Sequence, residues 1–287
     1  MVKMYFTLLM SLLFLTGISG QKVNAYQIFT SKGKKVSFEQ MIKDVSEQDI
    51  VFFGELHNDP IAHWLQYEMV KTIHTKRRMV IGAEMFEADN QKGVEDYLQG
   101  ISDQDSFKKA VRLWNNYDTD YKKIVDFSKD NNISFIATNI PRPFARLVFR
   151  GGFEALDTLS AADKRWIAPL PVMYDAEVPC YRKMREMDMG GHEASENFPK
   201  AQAIKDATMA HFILKNHLNG SLFFHLNGSY HSDNYEGIVW YIKKQDAGKK
   251  IKTISTVLQK QTGNLDKSNE NVADYIICVD EDMTTTY

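Results

Sequence analysis

Glu55 and His57 flank Leu56 at the point where an apolar run breaks, in the stretch DIVFFGELHND from Asp49 to Asp59. In an extended segment these two side chains share one side. A carboxylate beside an imidazole can ligate a divalent metal or trade a proton. The pattern recurs along the chain. Glu84 lies inside the apolar stretch MVIGAEMF, where an unpaired charge is costly or forces protonation, so it should have a partner. His231 closes LNGSYH after another apolar run, and Arg142 follows a third in TNIPR. Asp206 falls midway along a helical stretch and can join them. Taken singly, each is compatible with structural hydrogen bonding. Together at strand ends they predict one polar site, because open α/β sheets bind ligands outside the carboxyl ends of their strands.

Three chemistries fit such a site. His57 and His231, with Glu55 and Glu84, can hold a divalent metal, one carboxylate acting as base. A metal-free site can use Glu84 or His57 to activate water. The same residues can also persist in a protein that only binds. No HExxH, GxSxG, Walker or GxGxxG pattern occurs, so the chemistries they mark have no support.

Positioning these groups requires strands that end at them. Apolar runs over 25–30, 50–54, 79–85, 133–138, 221–226, 252–258 and 275–279 predict strands. Helical periodicity is expected over 37–45, 60–74, 89–98, 105–115, 120–130, 144–149, 198–217 and 235–244, with Ser37 and Asn58-Asp59-Pro60 as start signals. Strands alternating with helices predict an α/β fold, a mainly parallel sheet with helices on both faces.

Residues 1–25 read as a signal peptide, with Lys3 before the apolar Met4–Thr16 segment and Gly20 or Ala25 ending a small-residue cleavage site, of which Val23-Asn24-Ala25 is the closer fit. That segment is too short to span a bilayer. The expectation is an exported protein, periplasmic or associated with the cell envelope, with one domain over 26–287. Lys3 and Lys22 leave with the leader, so 33 of the 35 basic residues remain against 37 acidic ones. That balance gives no nucleic-acid footprint. Cys180 and Cys278, 98 positions apart, are open to pairing or to staying as buried thiols.

Residues 157–197 differ in texture: three prolines, then Met173, Met184, Met187 and Met189 among Tyr174, Tyr181 and His192. A helical insertion rich in Met and Tyr is expected here. One reading is a lid packed onto the core. The other is a ligand surface: Tyr174 and Tyr181 are phenolates able to ligate ferric haem, Met184 and Met187 are soft neighbours at i and i+3, and Arg185, like Arg142, suits a carboxylate.

VFFGELHND with His63 and Gln66 downstream, IGAEMFE, TNIPRPFAR, AQAIKDATMA and LNGSYH occur in that order. This series resembles the ChaN-like haem-binding uptake proteins of the Tiki superfamily, relatives of the erythromycin esterases and Tiki metalloproteases. The likeness covers about residues 26–280. It implies an exported, iron- or haem-related binding protein with a tyrosine on the iron. Haem is the expected ligand, with a homodimer and outer-membrane haem-uptake machinery as expected partners. It further implies that the positions of Glu55, His57, Glu84 and His231 are the superfamily's active-site or metal-site core. The lipobox of lipoprotein members is missing.

Overall fold

The computed structural model describes residues 24–187 and 196–287. Nearly all of the leader, and Met189 and His192 of the insertion, lie outside the described residues.

β1 (Tyr26–Thr30) and β2 (Lys35–Val36) form an antiparallel hairpin. β3 (Ile50–Glu55), β4 (Met79–Glu87), β5 (Ser134–Asn139), β6 (Leu222–Gly228), β7 (Ile251–Gln259) and β8 (Tyr275–Asp280) run parallel to their neighbours. β1 joins β8 antiparallel, giving one sheet in the order β2-β1-β8-β7-β3-β6-β4-β5. The fold is α/β with a mainly parallel sheet, as the alternating pattern predicts.

Alternation along the central strands fixes the two layers. Val51, Phe53 and Phe224 point into one core with residues of α1 (Phe38–Val45), α2 (Pro60–His74), α3 (Gln91–Leu98), α4 (Gln104–Ala110) and α5 (Lys122–Asp130). Ile50, Phe52 and Phe223 point into the other, with α6 (Arg142–Gly151), α8 (Pro179–Arg185), α9 (Asn197–Asn216) and α10 (Ile238–Gln245). The one-turn α7 (Ala161–Lys164), between α6 and α8, buries none of its residues. Strands buried on both faces need apolar residues at every position, which is why 50–53 reads as an unbroken run.

Two helix starts follow the sequence signals. Ser37 and Gln40 form a reciprocal cap at α1, and Asp59 accepts the Ala62 N–H at 2.7 Å ahead of Pro60 at α2. The helix expected over 105–115 stops at Ala110. Arg112 is drawn off the helical path: its N–H donates to Asn90 Oδ1 at 2.8 Å and its guanidinium meets Glu87 and Asp89. A π-helical turn, Tyr117–Tyr121, then leads into α5. The helix expected from 235 begins at Ile238, because Asn234, Tyr235 and Gly237 take positive φ values.

Over its described length the insertion packs onto the core, as the first of the two readings expects. Ile167, Val178, Cys180, Tyr181 and Met184 are buried in the second core with α6, α9 and α10. Cys180 and Cys278 are both buried and unpaired. Among the described residues no helix is long and apolar enough to cross a membrane.

Candidate functional site

β3 ends at Glu55 against Gly228 of β6, so the first and last of the polar motifs are neighbours in register. Glycine is needed at both strand ends. A Cβ on Gly54 would fall 2.9 Å from the Ser229 Cα, and one on Gly228 would fall 2.8 Å from two atoms of the His57 ring. The imidazole therefore lies directly on the Gly228 backbone.

Glu55 is buried and is the hub of the first group. Its Oε1 accepts from Tyr121 OH at 2.6 Å and lies 2.9 Å from His57 Nδ1; its Oε2 accepts from Gln66 Nε2 at 2.5 Å. The turn beyond is pinned from behind. The His57 carbonyl accepts from His63 Nε2 and from Asn116 Nδ2, each at 3.1 Å.

Glu84 is the hub of the second group. β4 leaves register with β5 between Ala83 and Glu87, an irregularity of the kind that re-aims side chains beside sites. Glu84 Oε2 accepts the Gly228 N–H at 2.8 Å and Oε1 lies 3.1 Å from His231 Nε2. His231 Nδ1 meets Asp206 Oδ1 at 2.5 Å, and Asp206 Oδ2 accepts from Tyr181 OH at 2.7 Å. Every member of this chain is buried.

The electrostatics follow from that burial. Burial alone would depress the His231 imidazole, but Glu84 and Asp206 on its two nitrogens raise it to about 10. Burial also opposes the Glu84 carboxylate, yet His231, His57 and the Gly228 amide hold it well below the usual carboxylate range. Asp206 goes the other way, because burial outweighs what His231 and Tyr181 return. For His57, burial is outweighed by the hydrogen bond to Glu55 and the charge of Glu84, and its imidazole is raised. Its side chain remains 35% exposed, edge-on to Trp114, so it is the face this site shows to solvent.

Glu55, His57, Glu84 and His231 thus converge as two histidine–carboxylate halves meeting at Gly228. They do not assemble as a ligand set. Among the described residues no group of three or more His, Cys, Asp or Glu side chains is arranged to hold a metal. Both nitrogens of His231 face carboxylates, which favours imidazolium, and imidazolium has no lone pair to offer. A cavity of about 430 Å³ lined by Gln91, Glu95 and Asn132 touches none of these residues.

Residues 41–242 match the family described as haem-binding uptake, Tiki superfamily, ChaN. The chain belongs to this family. Among solved structures it resembles ChaN of Campylobacter jejuni, described as showing cofacial haem binding, at 19% identity and a TM-score of 0.67, over 88% of this chain and 96% of that one. It also resembles an H289N mutant of the erythromycin esterase EreC in its open conformation, at 9% identity and a TM-score of 0.51, over 88% of this chain and 97% of the other. At these identities the likeness is one of fold. No curated protein matches the chain.

Several residues expected to serve a haem are placed elsewhere in this ChaN-family fold. Tyr181 is fully buried with its hydroxyl on Asp206, and Met184 is packed in the core. Arg185 is paired with Glu177 at 2.9 Å. Met187 is exposed. Tyr174 is half-buried, its ring 5.4 Å from Phe153 and 5.7 Å from Tyr181, and its hydroxyl makes no hydrogen bond among the described residues. Arg142 does not enter the Glu/His site. It starts α6, donates its N–H to Glu87 Oε2 at 3.1 Å, and lines a groove of about 220 Å³ between α6 and α9. Phe149, Phe198, Arg146, Lys205 and Gln202 share that groove.

Two contributors were missed. Tyr121 reads as one aromatic among many, and only the π-helical turn delivers its hydroxyl to Glu55. His225 lies hidden within an apolar strand. Burial depresses its imidazole to about 4, and it is neutral. It bridges Thr138 Oγ1 at 2.8 Å and Asn227 Oδ1 at 3.0 Å, and Asn227 in turn donates to the Gly228 carbonyl. A histidine in the middle of FFHL was a detectable signal, since burial there demands partners.

Proposed function

We propose that this protein is an exported haem-binding protein of the cell envelope serving haem and iron uptake. The observation that carries the reading is family membership over residues 41–242. A ChaN-like fold and a leader-like N-terminal sequence support it. The proposal includes a homodimer and a partner in outer-membrane haem-uptake machinery. Haem supplies a redox-active iron in a flat dianionic ring; the chain's residues bind and orient it. Tyr174 is retained as iron ligand over Tyr181, since its hydroxyl is uncommitted. Titrating the protein with haemin should give a saturable Soret shift that weakens in Tyr174→Ala. A featureless titration removes this reading.

A second reading is hydrolysis at the Glu/His site, favoured by His57 being open to solvent while Glu55 orients it and Glu84 lies beside it. His57 would take a proton from water as general base. A divalent metal enters this reading only if His231 gives up its carboxylates. Turnover of ester or amide substrates, with or without added zinc, should disappear in His57→Gln. Absence of turnover in the wild type counts against it.

A further inference from the structure

We infer that the exposed face of α6, with the rim of the groove it forms against α9, docks this protein onto a bilayer of anionic lipid. Nothing in this depends on haem.

Arg142, Arg146, Phe149 and Arg150 fall at i, i+4, i+7 and i+8 along α6, so they share one stripe, and all four are exposed. α9 packs on α6 and adds Lys205 to the same groove. None of these four cationic side chains makes an ion pair or hydrogen bond among the described residues. The two helices carry six basic residues and one carboxylate, Asp206, which is buried. The chain as a whole has 35 basic and 37 acidic residues, so this concentration of positive charge is local. Neighbouring carboxylates do not offset it where α6 begins. Glu87, which accepts the Arg142 N–H, is taken by the Arg112 guanidinium. Glu154 stands at the other end, beside Gly152, where Lys200 also lies.

A cationic stripe facing water costs the fold little, so charge alone names no occupant. Phe149 narrows the choice. It is 44% exposed among the arginines and is braced edge-on by Phe198 at 6.3 Å. A helix that shows both arginine and phenylalanine on its outer face suits a membrane interface. The cations meet anionic headgroups while the ring enters the boundary between headgroups and acyl chains. Arg142 to Arg150 covers about 12 Å of helix, wider than one small anion and enough to meet several headgroups.

The test is co-sedimentation of the mature form, residues 26–287, with vesicles, since the apolar leader would itself bind lipid. Wild type should sediment with vesicles of equimolar phosphatidylglycerol and phosphatidylcholine and stay in solution with phosphatidylcholine alone. Salt at about 1 M, where charges are screened beyond about 3 Å, should release it. A basic residue near an anionic surface is worth about 1 kcal/mol, roughly a fivefold factor. Arg142→Gln/Arg146→Gln/Arg150→Gln should therefore bind roughly a hundredfold more weakly, with an unchanged thermal melt. Phe149→Ala should weaken binding with no change in charge. Lys43→Gln/Lys92→Gln/Lys109→Gln removes as much charge from exposed positions on α1, α3 and α4 of the other layer and should bind nearly as wild type. Equal losses in the two triple variants would overturn the inference, because net charge and not this face would then govern binding. Wild type that ignores the anionic vesicles would overturn it too. So would release by inorganic phosphate at constant ionic strength, which would mark a site for a free anion. Haemin titration and vesicle binding fail separately, so neither result decides the other.

Discussion

His231→Ala should destabilise the protein by about 3–5 kcal/mol, the usual loss when one partner is removed from a buried ion pair. The substitution strands two buried carboxylates, Glu84 and Asp206, that face the imidazole from either side at 3.1 and 2.5 Å. In a domain of this size the loss corresponds to a fall in melting temperature of roughly 6–20 °C. Wild-type stability should also carry the signature of the pair in its pH dependence. The folded His231 titrates near 10, above its unfolded value, so its contribution is complete below the unfolded pKa and fades as pH rises towards about 10. Glu84 is shifted down, so its contribution is complete above the unfolded carboxylate pKa and fades as pH falls. The stabilisation should be greatest between those two unfolded values and flatten in His231→Ala. Urea unfolding followed across pH checks both parts. A variant within about 1 kcal/mol of wild type, with an unaltered pH profile, would show that these groups are not a buried charged cluster.

The second large effect is expected at Glu55. Glu55→Ala removes the acceptor of Tyr121 OH and Gln66 Nε2, both buried, and of the half-exposed His57. Each buried donor left unmade costs about 1–3 kcal/mol, so the variant should lose roughly 2–6 kcal/mol. His57 is not counted, because its exposed side chain can turn to water. Glu55→Gln keeps the volume and one carbonyl acceptor and should recover more than half of the loss. Tyr121→Phe removes one donor and leaves the carboxylate its other partners, so it should cost less than Glu55→Ala. Denaturant midpoints at constant slope decide the ranking. Equal losses in Glu55→Ala and Glu55→Gln would mean that charge, not hydrogen bonding, is what Glu55 contributes.

Gln202 lines the groove between α6 and α9 and also lies 3.1 Å from the His231 ring nitrogens, so His231→Ala frees one groove residue, whereas Glu55 contacts none.

What the sequence determined by itself was the sheet and the ends of its strands. Runs such as Ile50–Phe53, bounded by Gly54 and followed by a capped helix at Asp59-Pro60, are local signals, and local signals survive without knowledge of the rest of the chain. Because parallel strands end at one edge of the sheet, Glu55, Glu84 and His231 were already constrained to meet there. Tertiary structure decided who partners whom. Asp206 reaches His231 from α9, Tyr181 reaches Asp206 from α8, and Tyr121 reaches Glu55 through a π-helical turn. No periodicity encodes those contacts, since each depends on the relative placement of helices across long separations. The same packing buried Tyr181 and Met184, which composition alone had made attractive as ligands. It also brought Arg142 and Arg146 beside Lys205, residues more than fifty positions apart whose charges share a surface only because α6 packs on α9.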